Sequence, residues 1–364
     1  MGQLRVLSCG VDSLYFSVQG IVRDGWLEAL EACRLAANGE PMRFEVGEGG
    51  TAFVHQGHGW RGYRHWLTCP GYDLMVGASP MFPPVYVQLR SEFIHEVGVS
   101  RALVEVVACL EAHFFDVSFS LGASRLDVYA DVQGWEPRPS DFERFVTRAT
   151  ARTEHEGQGG DGELFEYGRR LSGFSFGRGD FVARIYDKRR QMAVTGKDWQ
   201  TAVWKDEDPE TPVWRIEFQA RRPVLADVGV LTAEDAVQRR QGLWDYGTKW
   251  LSFREPSSHS RACRWPVSPL WVWLQQVQLG EPCEPLVRER ARSADVRRLV
   301  GAWTGYSTSF AARQNLDGLG ATSRRMGALA LAHLDDSGRR FSTEVEKKRL
   351  LLLDRPGPGV RRGS

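Results

Sequence analysis

No uncharged apolar stretch approaches the ~18–20 residues that a membrane span requires. The opening MGQLRVLSCGVDSLYF has no apolar run behind a basic end, and Val6 stands where myristoylation would need Ser or Thr. These absences predict a cytoplasmic chain with no membrane partner. The six cysteines, at 9, 33, 69, 109, 263 and 283, form no CxxC, so neither a zinc knuckle nor a disulfide framework is indicated. No repeat of 20–50 residues is present, which removes solenoids and propellers. Lysine is scarce: six of the 47 basic residues are Lys and the rest are Arg, whose planar fork suits phosphate better than an ammonium does. A GC-rich coding sequence would enrich Arg in the same way.

Several chemistries are missing too. There is no GxxxxGK[ST], GxSxG or HExxH, and Gly173-Phe-Ser-Phe-Gly177 is not a GxGxxG loop. The eight histidines never occur as His-x-His. His55, His58 and His65 do cluster in HQGHGWRGYRH, where a metal site and a Gly-rich turn with polar tips are both open readings.

What is present is ordinary globular composition, 42% hydrophobic and 26% charged, over 364 residues, a length that predicts about two domains. The net charge of +1 is a cancellation. From Leu251 to Ser364 there are 19 basic and 11 acidic residues; before it there are 28 basic and 35 acidic. Residues 253–269, rich in Pro and Ser, fall at the same place, so the predicted boundary separates residues 1–252, α+β, from residues 253–364, basic and helical. In the first part, Val11–Val18, Pro84–Ser91, Ser124–Val132, the region around Phe174–Lys188 and Val213–Arg221 read as strands. Helices are predicted after Ser100, over Phe142–Ala151 behind a Ser140/Glu143 capping box, and from Thr232 toward Leu251. A Gly-rich loop is predicted at Glu156–Gly162. The tail has four helix-like segments, and Arg pairs in ARSADVRRLVGAW and TSRRMGAL suit DNA phosphates or a solvated basic face equally.

Side chains alternate faces along a strand. One face of SRLDVYADV carries Arg125, Asp127, Tyr129 and Asp131; one face of VARIYDK carries Arg184, Tyr186 and Lys188; and one face of VWRIEFQAR carries Arg215, Glu217, Gln219 and Arg221. The opposite faces are apolar, apart from Asp187. The expected fold is therefore α+β, an antiparallel sheet with helices on its apolar face and a charged catalytic face, plus a small C-terminal helical domain. A merely solvated polar face is the plain alternative. Against it, this face gathers carboxylates, arginines and tyrosines, where solvated faces favour Lys, Glu and Thr. Asp127, Asp131 and Glu217 are candidate oxygen ligands for Mg²⁺ or Mn²⁺, and the basic residues would neutralise a phosphate. Tyr186, between Arg184 and Lys188, is expected to be held toward phenolate and to attack phosphorus. Each choice has a structural counterpart: Tyr186 as a packing residue, Asp131 as a strand end, Arg125 and Arg215 as ion-pair partners of Asp127 and Glu217. Tyr129 reads as a second nucleophile, a stacking platform or an orienting group.

The segment GFSFGRGDFVARIYDKRRQ followed by PVWRIEFQARR resembles the replication initiation factor family, the initiators and relaxases of rolling-circle plasmids, phages and conjugative elements. Four motifs carry the resemblance over residues 11–221: Val11-Asp12 in an early strand, Arg125-Leu126-Asp127, Phe174 to Lys188, and Arg215-Ile216-Glu217. The resemblance implies that Tyr186 nicks one DNA strand at an origin, leaving a 5′-phosphotyrosine and a free 3′-OH, assisted by Arg184 and Lys188. It further implies a divalent metal on residues like Asp127 and Glu217, origin DNA held by Arg125, Arg215, Arg178 and Tyr129, and host replication proteins such as a helicase, with a possible homodimer. Two departures stand out. Gln191 occupies the region after IYDK where the family often has an acid, and 25 residues separate Lys188 from Trp214. A non-catalytic DNA-binding replication regulator and a metal-dependent nuclease using water are the rival readings.

Overall fold

The computed structural model describes residues 3–47, 52–147, 152–156, 171–196, 198–280, 286 and 296–346. Its strands are β1 (Arg5–Gln19), β2 (Met42–Glu45), β3 (Ala52–His55), β4 (His65–Thr68), β5 (Tyr72–Val76), β6 (Val85–Leu89), β7 (Ser120–Gln133), β8 (Phe145–Thr147), β9 (Arg152–Glu156), β10 (Leu171–Phe176), β11 (Phe181–Asp187), β12 (Trp214–Arg221) and β13 (Leu251–Phe253). The helices are α1 (Trp26–Ala37), α2 (Ser91–Val97), α3 (Val99–Cys109), α4 (Lys188–Thr195), α5 (Arg222–Asp227), α6 (Ala233–Gln238), α7 (Arg240–Trp250), α8 (Pro269–Leu274), α9 (Val296–Gln314) and α10 (Leu319–Asp336). None of the described helices is long and apolar enough to cross a membrane.

Eleven strands form one antiparallel sheet in the order β2-β3-β4-β5-β6-β1-β7-β12-β11-β10-β9. Strands β1 and β7 are the longest, pair along almost their whole length, and make the sheet's spine. The expected α+β architecture is what forms. Leu14, Phe16, Val18, Leu126, Val128, Ile216 and Phe218 are buried on the apolar face, with the Trp244 ring of α7 edge-on to Phe218 at 5.4 Å.

Three local expectations change. The segment at Phe142 makes a short 3₁₀ turn, Pro139–Arg144, and then strand β8 rather than a helix. There the Asp141 carboxylate accepts from the Arg138 backbone N–H at 2.9 Å, and Phe145 is drawn into an aromatic cluster with Phe253, Phe176 and Trp271, so tertiary packing overrides the expected cap. The helix from Thr232 does open on a Thr232/Asp235 capping box but breaks at Arg239 into α6 and α7. Most of the predicted Gly-rich loop at 156–162 lies outside the described residues.

The chain divides into two compact units, Met1–Glu289 and Arg290–Ser364. Leu251–Phe253 pairs with β8, and Trp244 donates its indole N–H to the Leu274 carbonyl at 3.1 Å, so the Pro- and Ser-rich stretch turns within the first unit. In the second unit α9 and α10 pack together, and Arg324 and Arg325 are exposed on α10.

Candidate active site

Strands β7, β12 and β11 are neighbours, and their register aligns the polar residues in rows. Asp131 pairs with Arg215 and Arg215 with Tyr186; Tyr129 pairs with Glu217 and Glu217 with Arg184. Directly opposed residues in an antiparallel pair project from the same face. Parity therefore identified one continuous charged face. The 25-residue gap before Trp214 does not disturb the β11–β12 pairing, because the backbone N–H of Lys188 bonds the Val213 carbonyl at 2.8 Å and closes the excursion.

The Tyr186 hydroxyl donates to Glu217 Oε2 at 3.0 Å, and Arg184 Nη1 holds Glu217 Oε1, also at 3.0 Å. The same guanidinium reaches Gln219 Oε1 at 3.2 Å. Gly173 faces Tyr186 across β10–β11, and a Cβ there would run into the Ile185 carbonyl oxygen and come within 2.9 Å of the Tyr186 Cβ, so the two strands approach this closely only at glycine. Lys188, buried at the start of α4, has its Nζ 5.6 Å from the Tyr186 ring centroid and donates to Gln191 Oε1 at 2.7 Å. The departure at Gln191 thus supplies a neutral acceptor.

The expected phenolate is reversed. Tyr186 is 5% exposed, and burial, reinforced by the Glu217 charge, pushes its hydroxyl well above the usual phenol range despite Arg215. Arg184 is occupied by Glu217, so the phenol meets a carboxylate rather than a free cation. Burial also brings Lys188 down to about 8, with Arg215 acting in the same direction and Asp12, Asp131 and Glu217 opposing.

The other candidates are locked in pairs. Arg215, 1% exposed, clasps Asp131 with two bonds of 2.6 and 2.8 Å and reaches Asp12 Oδ1 at 2.6 Å. Trp204 adds its indole N–H to Asp131 at 2.8 Å. Asp131 is therefore an ion-pair partner and does not merely end its strand, and its arginine is Arg215, where Glu217 had been the expected mate. Arg125 grips Asp127 through Nε at 2.9 and 3.0 Å and through Nη2. Burial pushes Asp127 up to about 7 against that pull. Tyr129 offers no face to a base: it is 1% exposed, the Arg215 guanidinium caps its ring at 3.9 Å, and its hydroxyl meets Ser8 at 2.7 Å and His95 Nδ1 at 3.2 Å. Arg178 is exposed on the β10–β11 turn, five residues along β11 from Tyr186 and so about 17 Å away, outside the cluster.

Asp127, Asp131 and Glu217 share the face, but each is held by its own guanidinium. Among the described residues no group of three or more His, Cys, Asp or Glu side chains comes together to hold a metal ion. As arranged, these carboxylates do not fit a hard divalent cation, which needs several open oxygens around one point. His55 ends β3 and His65 opens β4; both are buried, Nε2 to Nδ1 at 3.2 Å, with Gly57 N–H donating to His55 Nδ1 at 3.0 Å. They are a structural pair; His58 is exposed.

Asp12 and His95 were not singled out as site residues. A β-bulge between Val11 and Ser13 lets Asp12 project onto the polar face, where Arg215 and Ser91 Oγ, at 3.0 Å, hold it. Burial resists its ionisation, yet Arg215, His95 and Lys188 together keep it well below the usual carboxylate range. His95 Nε2 lies 3.9 Å from Asp12 and has no hydrogen-bond partner among the described residues. The motif Val11-Asp12 was the one sequence signal for Asp12; His95 had none.

No family model matches the chain, and no curated protein matches it. Among solved structures it is similar to the rolling circle replication initiator protein from Geobacillus stearothermophilus, at 16% identity and a TM-score of 0.45, covering 76% of this chain and 99% of that one.

Proposed function

We propose that the chain is a DNA strand-nicking and strand-transfer enzyme, a rolling-circle replication initiator or relaxase, with Tyr186 as nucleophile. The observation that carries this reading is the Tyr186–Glu217–Arg184 relay, a protonated nucleophile bonded to a base whose other oxygen is fixed by a guanidinium. The sequence resemblance over IYDK and R-x-E selects the same residues. Tyr186 Oη forms a bond to a backbone phosphorus as the P–O3′ bond breaks, and the phenolic proton passes to Glu217. Lys188 protonates the departing 3′ oxygen, a task suited to an amine brought near neutrality. The products are a 5′-phosphotyrosine and a free 3′-OH; the 3′-OH of an incoming end reverses the step, and Glu217 returns its proton to the phenol. Because Tyr186 is 5% exposed, this end of the face must open to admit the phosphate.

The test is incubation of the whole chain with single-stranded, origin-like oligonucleotides, with Mg²⁺, with Mn²⁺ and with EDTA. A covalent protein–DNA adduct that vanishes in Tyr186→Phe supports the proposal. Full adduct formation in Tyr186→Phe overturns the assignment, and cleavage without an adduct indicates a nuclease using water. The buried, arginine-paired carboxylates favour one second reading, a non-catalytic DNA-binding regulator; binding with neither adduct nor cleavage would establish it.

A further inference from the structure

The polar face continues past Asp127 and changes character. Tyr15 of β1 lies opposite Arg125, and Ser17 opposite Tyr86 of β6, which puts both tyrosines on the face that carries Tyr186. The pairing runs on from Tyr86 to Met75 and from Met75 to Trp66 of β4. The Arg125 guanidinium stands 5.0 Å over the Tyr15 ring. Tyr63 lies 6.2 Å from Tyr86 and 5.5 Å from Phe82, and the Tyr63 and Phe82 rings help line a cavity of about 260 Å³ between Gly62–Arg64 and Gly77–Phe82. Trp60 stacks on Trp66 at 6.1 Å, and Arg61 lies 4.2 Å over Trp60. Tyr86, Tyr15, Trp60 and Trp66 are all half-buried, each leaving part of its surface open.

The charges differ from those around Tyr186. Arg61, Arg221 and Arg222 are exposed, and none makes an ion pair with a described residue. Burial raises the Tyr86 phenol, while a Ser124 hydrogen bond and the charges of Arg125, Arg61 and Arg221 pull it down. Arg222 lies over Gly122, where a Cβ would come within 2.8 Å of Ser17 Oγ and 3.8 Å of the guanidinium; glycine keeps the floor open.

We propose that this aromatic and arginine tract, from Trp60 through Tyr86 to Tyr15 and Arg125, is a binding track for the single-stranded DNA that flanks the phosphate attacked by Tyr186. A single strand alternates planar apolar bases with anionic phosphates, and rings interleaved with guanidiniums, of which Arg61 is unpaired among the described residues and Arg125 is shared with Asp127, match that alternation. A duplex keeps its bases stacked on each other and leaves the rings unused. Tyr86 is four strands from Tyr186, about 19 Å across the sheet at ~4.8 Å per strand, and its row meets β7 at Gly122, nine residues or about 30 Å along the strand from the Asp131 row of Tyr186, so the track is separated from the attacked phosphate by several nucleotides of strand. The position of the reacting phosphate rests on the nicking reading; the pattern of rings and charges does not.

The experiment compares binding of labelled oligonucleotides of about ten nucleotides, single-stranded and duplex, by fluorescence anisotropy with the full chain. The chain is expected to prefer the single strand by at least about tenfold, and Tyr86→Leu and Trp60→Leu to lose about tenfold each, the value of one stacked base. Arg61→Gln and Arg221→Gln should each reduce the slope of log K against log salt by about 0.7, one phosphate contact on a single strand. An unchanged thermal midpoint in each variant confirms that the fold is intact. Equal affinity for both DNA forms, or wild-type affinity and salt slope in all four variants, overturns the track. Adduct formation is scored separately. Single-strand preference without an adduct supports the track and condemns the nicking reading alone; an adduct without that preference condemns the track alone.

Discussion

The two halves of the polar face are built on the same sheet and hold their charges in opposite ways. From β7 to β11 every acid has a guanidinium, Tyr186 and Arg215 are sealed from solvent, and α2 contributes His95 against Asp12. From β4 to β1 the rings are half-exposed and Arg61 is unpaired with any described residue, as are Arg221 at the exposed end of β12 and Arg222 next to it. Charges removed from water must be neutralised on the spot, whereas exposed guanidiniums remain available to a ligand. On the proposed reading the closed half serves chemistry in a dry site and the open half holds a polyanion.

The sharpest way to break the comparison is at the nucleophile. Tyr186→Phe is expected to lower adduct formation by about 10⁴-fold or more while leaving the fold intact, read on denaturing gels; a residual adduct above background would move the chemistry elsewhere on the face. Next is the base: Glu217→Gln should slow adduct formation by about 10²–10⁴-fold with DNA affinity little changed. A parallel loss of affinity would place Glu217 in binding instead. For stability, removing one partner of the buried Arg215–Asp131 pair, as in Arg215→Ala, is expected to cost about 3–5 kcal/mol in urea unfolding. Arg221→Ala, at the exposed end of β12, should cost less than about 0.5 kcal/mol. Similar costs at the two positions would erase the distinction between sealed and exposed charges.

A smaller effect follows from pH. Lys188 is depressed to about 8, so its contribution to stability is present above the unfolded value near 10.5 and is lost as pH falls through about 8. Its role as an acid runs the other way, requiring the protonated amine, so the rate of adduct formation should decline as pH rises through about 8. Lys188→Arg should remove that alkaline limb from the pH–rate profile; a limb retained in the variant assigns the titration to another group.

Much of this was legible in the chain. Alternation in SRLDVYADV, VARIYDK and WRIEFQAR placed Arg125, Asp127, Arg184, Tyr186, Arg215 and Glu217 on one face, because strand periodicity is a local property that tertiary contacts rarely override. Asp12 was hidden because a bulge breaks that periodicity, and His95 because a helix brings it in from a separate part of the chain. The helix expected at Phe142 failed for a related reason. A capping pattern is worth about a kcal/mol and the burial of Phe145 more, so packing prevailed. The aromatic track was unreadable as a unit, since its rings come from β1, β4, β6 and the connections around Trp60 and Phe82.

Residue order by itself determined the strands and their two-sidedness, and it put Tyr186 on the charged face. Only the tertiary structure decided which charges cancel. Arg215 chooses Asp131 and Asp12, Arg184 chooses Glu217, and Tyr186 is left protonated against that carboxylate. Pairing and burial depend on distance in space, which falls off within a few ångströms and which sequence separation does not encode.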